Sequence, residues 1–232
     1  MRVVPTLYPA FEGDEPFVVA NRGPVFTQAT AGGIHEILIF SPEHDATLGQ
    51  LSPEQVELVM AASLHHPHGQ LLGMSFIPRE LAEEQARFAR FVGSCLMCTT
   101  IEAEEDSGER VIYANDRVVA VCPFWSAVPY EMLVMPREHH PHLHHSPTED
   151  LIAVGEAIRR VLQQMADAIG DVAYNIVFHS APYRVGEPYH WHAHIWPKAT
   201  TTAGFELGTG VAINVVSPEE AAEALKVSAL AH

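Results

Sequence analysis

Tyr130-Glu-Met-Leu-Val-Met-Pro-Arg-Glu-His139 matches His35-Glu-Ile-Leu-Ile-Phe-Ser-Pro-Glu-His44 at a constant offset of 95 residues. Glu36 falls on Glu131, Leu38 on Leu133, Glu43 on Glu138 and His44 on His139, and the offset runs ungapped to Glu54 and Glu149. Each copy reads as an apolar strand, a loop opening at Glu-His, and a helix. The helix entrances, Ser52-Pro53-Glu54 and Ser146-Pro147-Thr148-Glu149, each carry a capping-type residue and a proline. The chain is therefore read as a duplicated unit.

The second half of each copy also matches: His66-Pro67-His68-Gly69-Gln70 lines up with His190-Trp191-His192-Ala193-His194. His139 and His190 are 51 residues apart and His44 and His66 only 22, so the first copy is shorter by 29. The shortening falls near 60–63. It is either a true deletion or a segment that the sequence skips; the second is preferred, because losing an inner strand would open the sheet. The second copy uses its extra length for a helix over about Thr148 to Ile169 and a strand over Val172 to Phe178. A helix over about Arg79 to Val92 links the copies, and an amphipathic helix from Pro218 to Ala231, capped by Ser217, ends the chain. The expected architecture is α+β: two tandem repeats, a largely antiparallel sheet, and helices on one face. The divisions are 1–78 (first repeat), 79–93 (linker helix) and 94–232 (second repeat).

Bulk properties narrow the function. The 232 residues carry 13 basic and 29 acidic side chains, a formal charge of −16, so the basic footprint of a nucleic-acid binder is absent. An anionic substrate must be held by local devices: backbone amides, histidines, single arginines or a metal. Met1-Arg2-Val3-Val4-Pro5 lacks the apolar core of a signal peptide. The longest apolar stretch, Val118 to Met135, contains Pro123, Pro129 and Glu131 and reads as two strands around a turn, not a membrane span. Three cysteines, two of them in Cys95-Leu-Met-Cys98, fit a reducing cytoplasm and a metal site better than a disulfide framework.

Histidine is the compositional outlier. Fifteen are present, and most fall in three clusters: 65–68, 139–145 and 190–194. Spacing of two places imidazoles on one face of a strand. Cys95-x-x-Cys98 presents two thiolates to a tetrahedral ion, and His139 and His190, both at ends of apolar strands, are the natural remaining ligands. The alternatives are a redox pair or two buried thiols. His44 and His66, the repeat equivalents of His139 and His190, form half of a first metal site, are completed by other ligands, or are simply polar loop histidines. No Cys-x-x-Cys precedes them in this sequence. In His66-Pro67-His68-Gly69-Gln70, an imidazole held in one tautomer can attack a phosphate. Gly69 allows close backbone approach, Gln70 donates an amide hydrogen, and Ser63 supplies another donor. The alternative is a histidine-rich surface turn. His139-His140-Pro141-His142-Leu143-His144-His145 is either a metal-sequestering tract or, apart from His139, a solvated loop, and the loop is preferred; Trp125, Trp191 and Trp196 read as core or sheet-face residues.

These segments resemble a known family. Ser63-Leu-His-His-Pro-His-Gly-Gln70, Ser41-Pro-Glu-His44, Pro136-Arg-Glu-His139 and His190-Trp-His-Ala-His-Ile-Trp-Pro197 are similar to the galactose-1-phosphate uridylyltransferases, the two-repeat branch of the histidine-triad superfamily. Gly204-Phe-Glu-Leu-Gly-Thr-Gly210 with Asn214 resembles a subgroup that includes ADP-glucose phosphorylase-like members. The resemblance implies a nucleotidyltransferase that works through a covalent nucleotidyl-histidine at His68. Gln70, Ser63 and Gly69 would meet the phosphoryl group. Structural zinc would sit on Cys95, Cys98, His139 and His190, and on His44 and His66. Some members instead place a second metal on histidines matching His179, His192 and His194; of the two sets the cysteine set is preferred. His192 itself, flanked by Trp191 and Ile195-Trp196, is expected in a core role. The implied partners are a nucleotide sugar and a sugar 1-phosphate, with no nucleic acid and no membrane, in a cytoplasmic homodimer. A nucleotide-sugar phosphorylase and a non-catalytic, zinc-stabilised nucleotide-binding module are the rival readings. Thr6 departs from the family's usual Val-Pro-Asn in a nucleotide-holding segment, and the family's N-terminal Cys-x-x-Cys has no counterpart here.

Overall fold

The structure is a computed structural model; it describes residues 2–24, 26–30, 32–39, 68–183, 185 and 188–229. His44, Ser63, His66 and the shortening near 60–63 lie outside these residues, and His68 is described by its backbone alone.

Three antiparallel sheets are present among the described residues. The first has the order β1 (Arg2–Pro5), β4 (Gly33–Ile39), β5 (His68–Met74), and β2 (Val19–Arg22) pairs with β3 (Phe26–Ala29) as a separate hairpin. The largest holds β6 (Val111–Ala114), β7 (Val118–Val121), β8 (Met132–Pro136), β10 (His192–Pro197) and β9 (Tyr174–His179), in that spatial order. The helices are α1 (Arg79–Arg90), α2 (Leu96–Ser107), α3 (Thr148–Ile169), α4 (Gly204–Thr209) and α5 (Pro218–Ala229), with a 3-10 turn at Leu143–His145. This is the expected α+β architecture. The apolar stretch from Val118 does form two strands, and both are buried along their whole length.

The repeat is visible as matched strand pairs: β4 with β5 in the first copy, β8 with β10 in the second. Their registers differ by one residue. Leu38 pairs with Gly69, whereas its match Leu133 pairs with His194.

Helices cover both faces of the five-stranded sheet, not one. Alternation along β7 sends Val118 and Ala120 to a core with Val154, Ile158, Val161 and Leu162 of α3 and Leu225 of α5. Val119 and Val121 point the other way, onto Phe88 of α1 and Met97 and Ile101 of α2. Helix α2 is absent from the sequence reading. Its apolar positions are few and its Thr99-Thr100-Ile101 run is β-branched, so no helical periodicity announces it.

Helix α3 spans the expected residues. Its buried positions 154, 157, 158, 161, 162 and 165 follow the helical repeat, and Glu149 and Asp150 sit favourably in its first turn. Its entrance differs from expectation. Pro147 occupies the N-cap, where its side chain offers no acceptor, and the Ser146 hydroxyl, one residue earlier, accepts a 2.6 Å hydrogen bond from Trp191 Nε1. At α5 the capping box is present: Ser217 Oγ accepts from Glu220 N at 3.2 Å, and Ser217 N donates to Glu220 Oε2 at 3.1 Å.

Candidate metal centres and nucleotide-handling strand

The alternation that builds the core also builds the site. Along β10 and the residue pair before it, Trp191, Ala193 and Ile195 enter the α3 core, and His190, His192 and His194 face the side covered by α1. The imidazoles therefore share one sheet face, where they meet side chains from α1, α2 and the segment following β8.

The first group is Cys95, Cys98, His139 and His190, whose ligand atoms all lie within 4.8 Å of one another. Cys95 occupies the N-cap of α2 and Cys98 its first turn, so the pair opens a helix and is not a hairpin. That helix follows α1, not a strand, and both cysteines are free thiols. Sγ to Nδ1 distances are 3.7 Å for Cys95–His190, 3.7 Å for Cys98–His139 and 3.5 Å for Cys98–His190. Bond lengths of about 2.3 Å to sulfur and 2.1 Å to nitrogen around a tetrahedral ion require about 3.6 Å between such donors. His190 Nε2 lies 3.0 Å from the Pro136 carbonyl. A carbonyl only accepts, so Nε2 carries the proton and Nδ1 turns its lone pair to the thiols. Burial pushes the Cys98 thiol up to about 12, with Cys95 adding to it, and burial beside His139 lowers His190 to about 3. The imidazole is thus neutral, and a cation would offset the cost of thiolate. Two sulfurs and two nitrogens at this spacing fit zinc.

The second group is Glu84, His179, His192 and His194, again with ligand atoms within 4.8 Å. Glu84 comes from α1, His179 from the end of β9, and the other two from β10. His179 Nδ1 lies 3.1 and 3.0 Å from the two Glu84 carboxylate oxygens. His192 Nδ1 donates to the His190 carbonyl at 2.9 Å, which leaves Nε2 facing Glu84 Oε1 at 3.1 Å without a hydrogen bond. His194 Nδ1 meets Glu131 Oε1 at 3.3 Å, and Tyr189 donates its hydroxyl proton to Glu84 Oε2. Burial opposes charge on Glu84, but the His179 imidazole in contact with both carboxylate oxygens overcomes it and holds the carboxyl well below the usual carboxylate range. A buried, unpartnered Nε2 aimed at a carboxylate among three imidazoles fits a divalent cation.

Both donor sets are brought together in the structure. His192 is fully buried, as a core residue would be, but its surroundings are Glu84, His179 and His194. Glu84 has no sequence signal: one carboxylate in a linker helix carries no ligand spacing. Of the tryptophans, Trp191 is core, whereas Trp125 is 48% exposed. In the first copy, Gly69 is buried and Gln70 exposed on β5, opposite Leu38 and Ile37. His68 opens that strand opposite Ile39.

Comparison with known proteins points one way. Residues 80–231 match the family described as galactose-1-phosphate uridyl transferase, C-terminal domain, and residues 2–65 match the N-terminal domain. ADP-glucose phosphorylase of Arabidopsis thaliana is 26% identical over 97% of this chain and 74% of its own length. That alignment runs over 263 positions, more than the 232 residues here, so the relative carries residues without counterpart. Galactose-1-phosphate uridylyltransferase of Thermotoga maritima is 25% identical over 94% of this chain and 81% of its own. A solved uridylyltransferase superposes with a TM-score of 0.87 at 25% identity, covering 99% of this chain and 86% of that one. The Arabidopsis ADP-glucose phosphorylase with bound ADP-glucose gives 0.79 at 25% identity, covering 97% and 81%.

Proposed function

The chain belongs to the galactose-1-phosphate uridyl transferase family, a family of transferases, and we propose that it moves a nucleotidyl group between sugar phosphates through a covalent bond to His68. The observation that carries this reading is that both halves of the family match in order, and that the first copy ends on His66-Pro67-His68-Gly69-Gln70. The His68 imidazole attacks the α-phosphorus of a nucleotide sugar, and the bond to the sugar 1-phosphate breaks. A second sugar phosphate then attacks the nucleotidyl-histidine and restores the free imidazole. Covalent capture splits one hard displacement into two easier ones. Gln70, Ser63 and backbone amides at Gly69 meet the charge that develops on the phosphoryl oxygens.

Zinc on Cys95, Cys98, His139 and His190 is structural in this reading, since four protein ligands leave no open position. Glu84, His179, His192 and His194 would hold a second ion that ties α1 to the sheet. His44 and His66 are assigned to a further zinc position in the first copy. Among the described residues no helix is long and apolar enough to cross a membrane. We place the protein in the cytoplasm, in galactose or related carbohydrate metabolism, as a homodimer.

One observation favours a second reading, transfer to inorganic phosphate: ADP-glucose phosphorylase of Arabidopsis thaliana is among the relatives matched over nearly the whole chain. Intact-mass spectrometry after incubation with UDP-glucose, ADP-glucose and GDP-glucose in turn tests both. A mass gain of one nucleoside monophosphate is expected, and its size names the base. Release by galactose 1-phosphate marks the uridylyltransferase, and release by inorganic phosphate the phosphorylase. No adduct with any donor would leave a non-catalytic nucleotide-binding module.

A further inference from the structure

A third set of imidazoles is gathered outside the two buried groups. The 3-10 turn at Leu143–His145 brings His142, His144 and His145 together, with ring centroids 5.2, 5.2 and 4.2 Å apart. Within the buried groups the imidazole pairs stand 4.8 to 5.1 Å apart. The two spacings to His142 are close to that range, His144 and His145 stand nearer each other, and the closeness has a geometric basis. A ring centre lies about 1.1 Å beyond its ligating nitrogen, and a metal–nitrogen bond is about 2.1 Å, so two rings on a tetrahedral ion are about 5 Å apart.

The turn that carries the trio is anchored. Leu143 N donates to Ser180 Oγ at 3.2 Å, and Ala181 N donates to the Pro141 carbonyl at 2.9 Å. His142 Nδ1 lies 3.1 Å from the Ala181 carbonyl, which can only accept. The proton is therefore on Nδ1 and the Nε2 lone pair is free, the same device that fixes a metal-ligating histidine elsewhere. His144 and His145 are exposed. Their ring nitrogens and those of His142 are not drawn within 4.8 Å of one another as in the buried groups, so binding must turn the two exposed rings onto the ion.

We propose that His142, His144 and His145 form a surface site for a borderline divalent cation of the nickel, copper or zinc type, separate from both buried centres. Imidazole is the preferred nitrogen ligand of these ions, and three of them on one short turn need no carboxylate to complete a capture site. This reverses the reading of the segment as merely solvated.

The test uses the untagged chain with its buried centres filled, dialysed against micromolar nickel ion alone. Nickel and zinc per chain are then counted by elemental analysis. The unaltered chain is expected to hold one more nickel than the His144→Ala/His145→Ala double variant, and to be retained on an immobilised-nickel column that the variant passes through. Zinc content should be equal in the two. Equal nickel uptake by both proteins would overturn the site. So would a loss of nickel accompanied by a matching loss of zinc, because the histidines would then be part of a buried centre.

Discussion

Glu131 decides how His194 presents itself. Its carboxylate is 3% exposed, accepts the Ala127 amide at 2.7 Å with one oxygen and meets His194 Nδ1 at 3.3 Å with the other. Tyr130, just before it, adopts a left-handed φ of 60°, a conformation that costs about 1–3 kcal/mol in a non-glycine residue and that here turns the chain into β8. Glu131→Gln keeps an acceptor for Ala127 but removes the anion behind His194. Metal affinity at the Glu84, His179, His192 and His194 group should fall about 10-fold, read by competition with a chromogenic chelator; unchanged affinity would remove Glu131 from this role. Cys98→Ser should lose one equivalent of zinc per chain by elemental analysis and unfold at a lower temperature. At this scale the sequence was informative where spacing carries the chemistry. Cys95-x-x-Cys98 and the alternating histidines of β10 were legible for that reason. Glu84 and Glu131 were not, because each reaches the site from a separate element and only tertiary packing brings it there; Tyr189, next to His190, carries no ligand spacing.

Among the elements, α2 shows how much rests on polar ties. Arg110, with its side chain 15% exposed, bonds Glu104 of α2 at 2.9 Å and Glu219 of α5 at 2.6 Å, and lies over the Phe124 ring at 5.3 Å. Glu104 is buried, so removing its cation leaves an uncompensated charge. Arg110→Ala should destabilise the chain by about 3 kcal/mol, measured as a lower urea midpoint; a shift of a few tenths would show the pair to be merely superficial. Helix α3 was readable to the residue because its apolar stripe is continuous and Gly170 ends it. Helix α2 was hidden: it serves the cysteine–histidine group and an ion pair more than a hydrophobic stripe, and its coverage of the second sheet face went unread with it.

For the whole molecule, duplication was legible because a fixed offset survives between the copies; the one-residue difference in strand register was not, since a sequence match does not record pairing. Ile34, Leu71 and Leu72 leave apolar surface exposed on the first sheet. A homodimer would cover such surface, and light scattering at micromolar concentration should give twice the chain mass; a monomer mass would exclude it. The central claim is that nucleotidyl transfer passes through His68 and not through its repeat equivalent. His68→Ala and His192→Ala should be incubated with the nucleotide sugar that labels the unaltered chain, and their intact masses measured. Nucleotidylation at His68 predicts no adduct on the His68 variant, which keeps its zinc, and at least a partial adduct on the His192 variant; an adduct on the His68 variant and none on the His192 variant would contradict it.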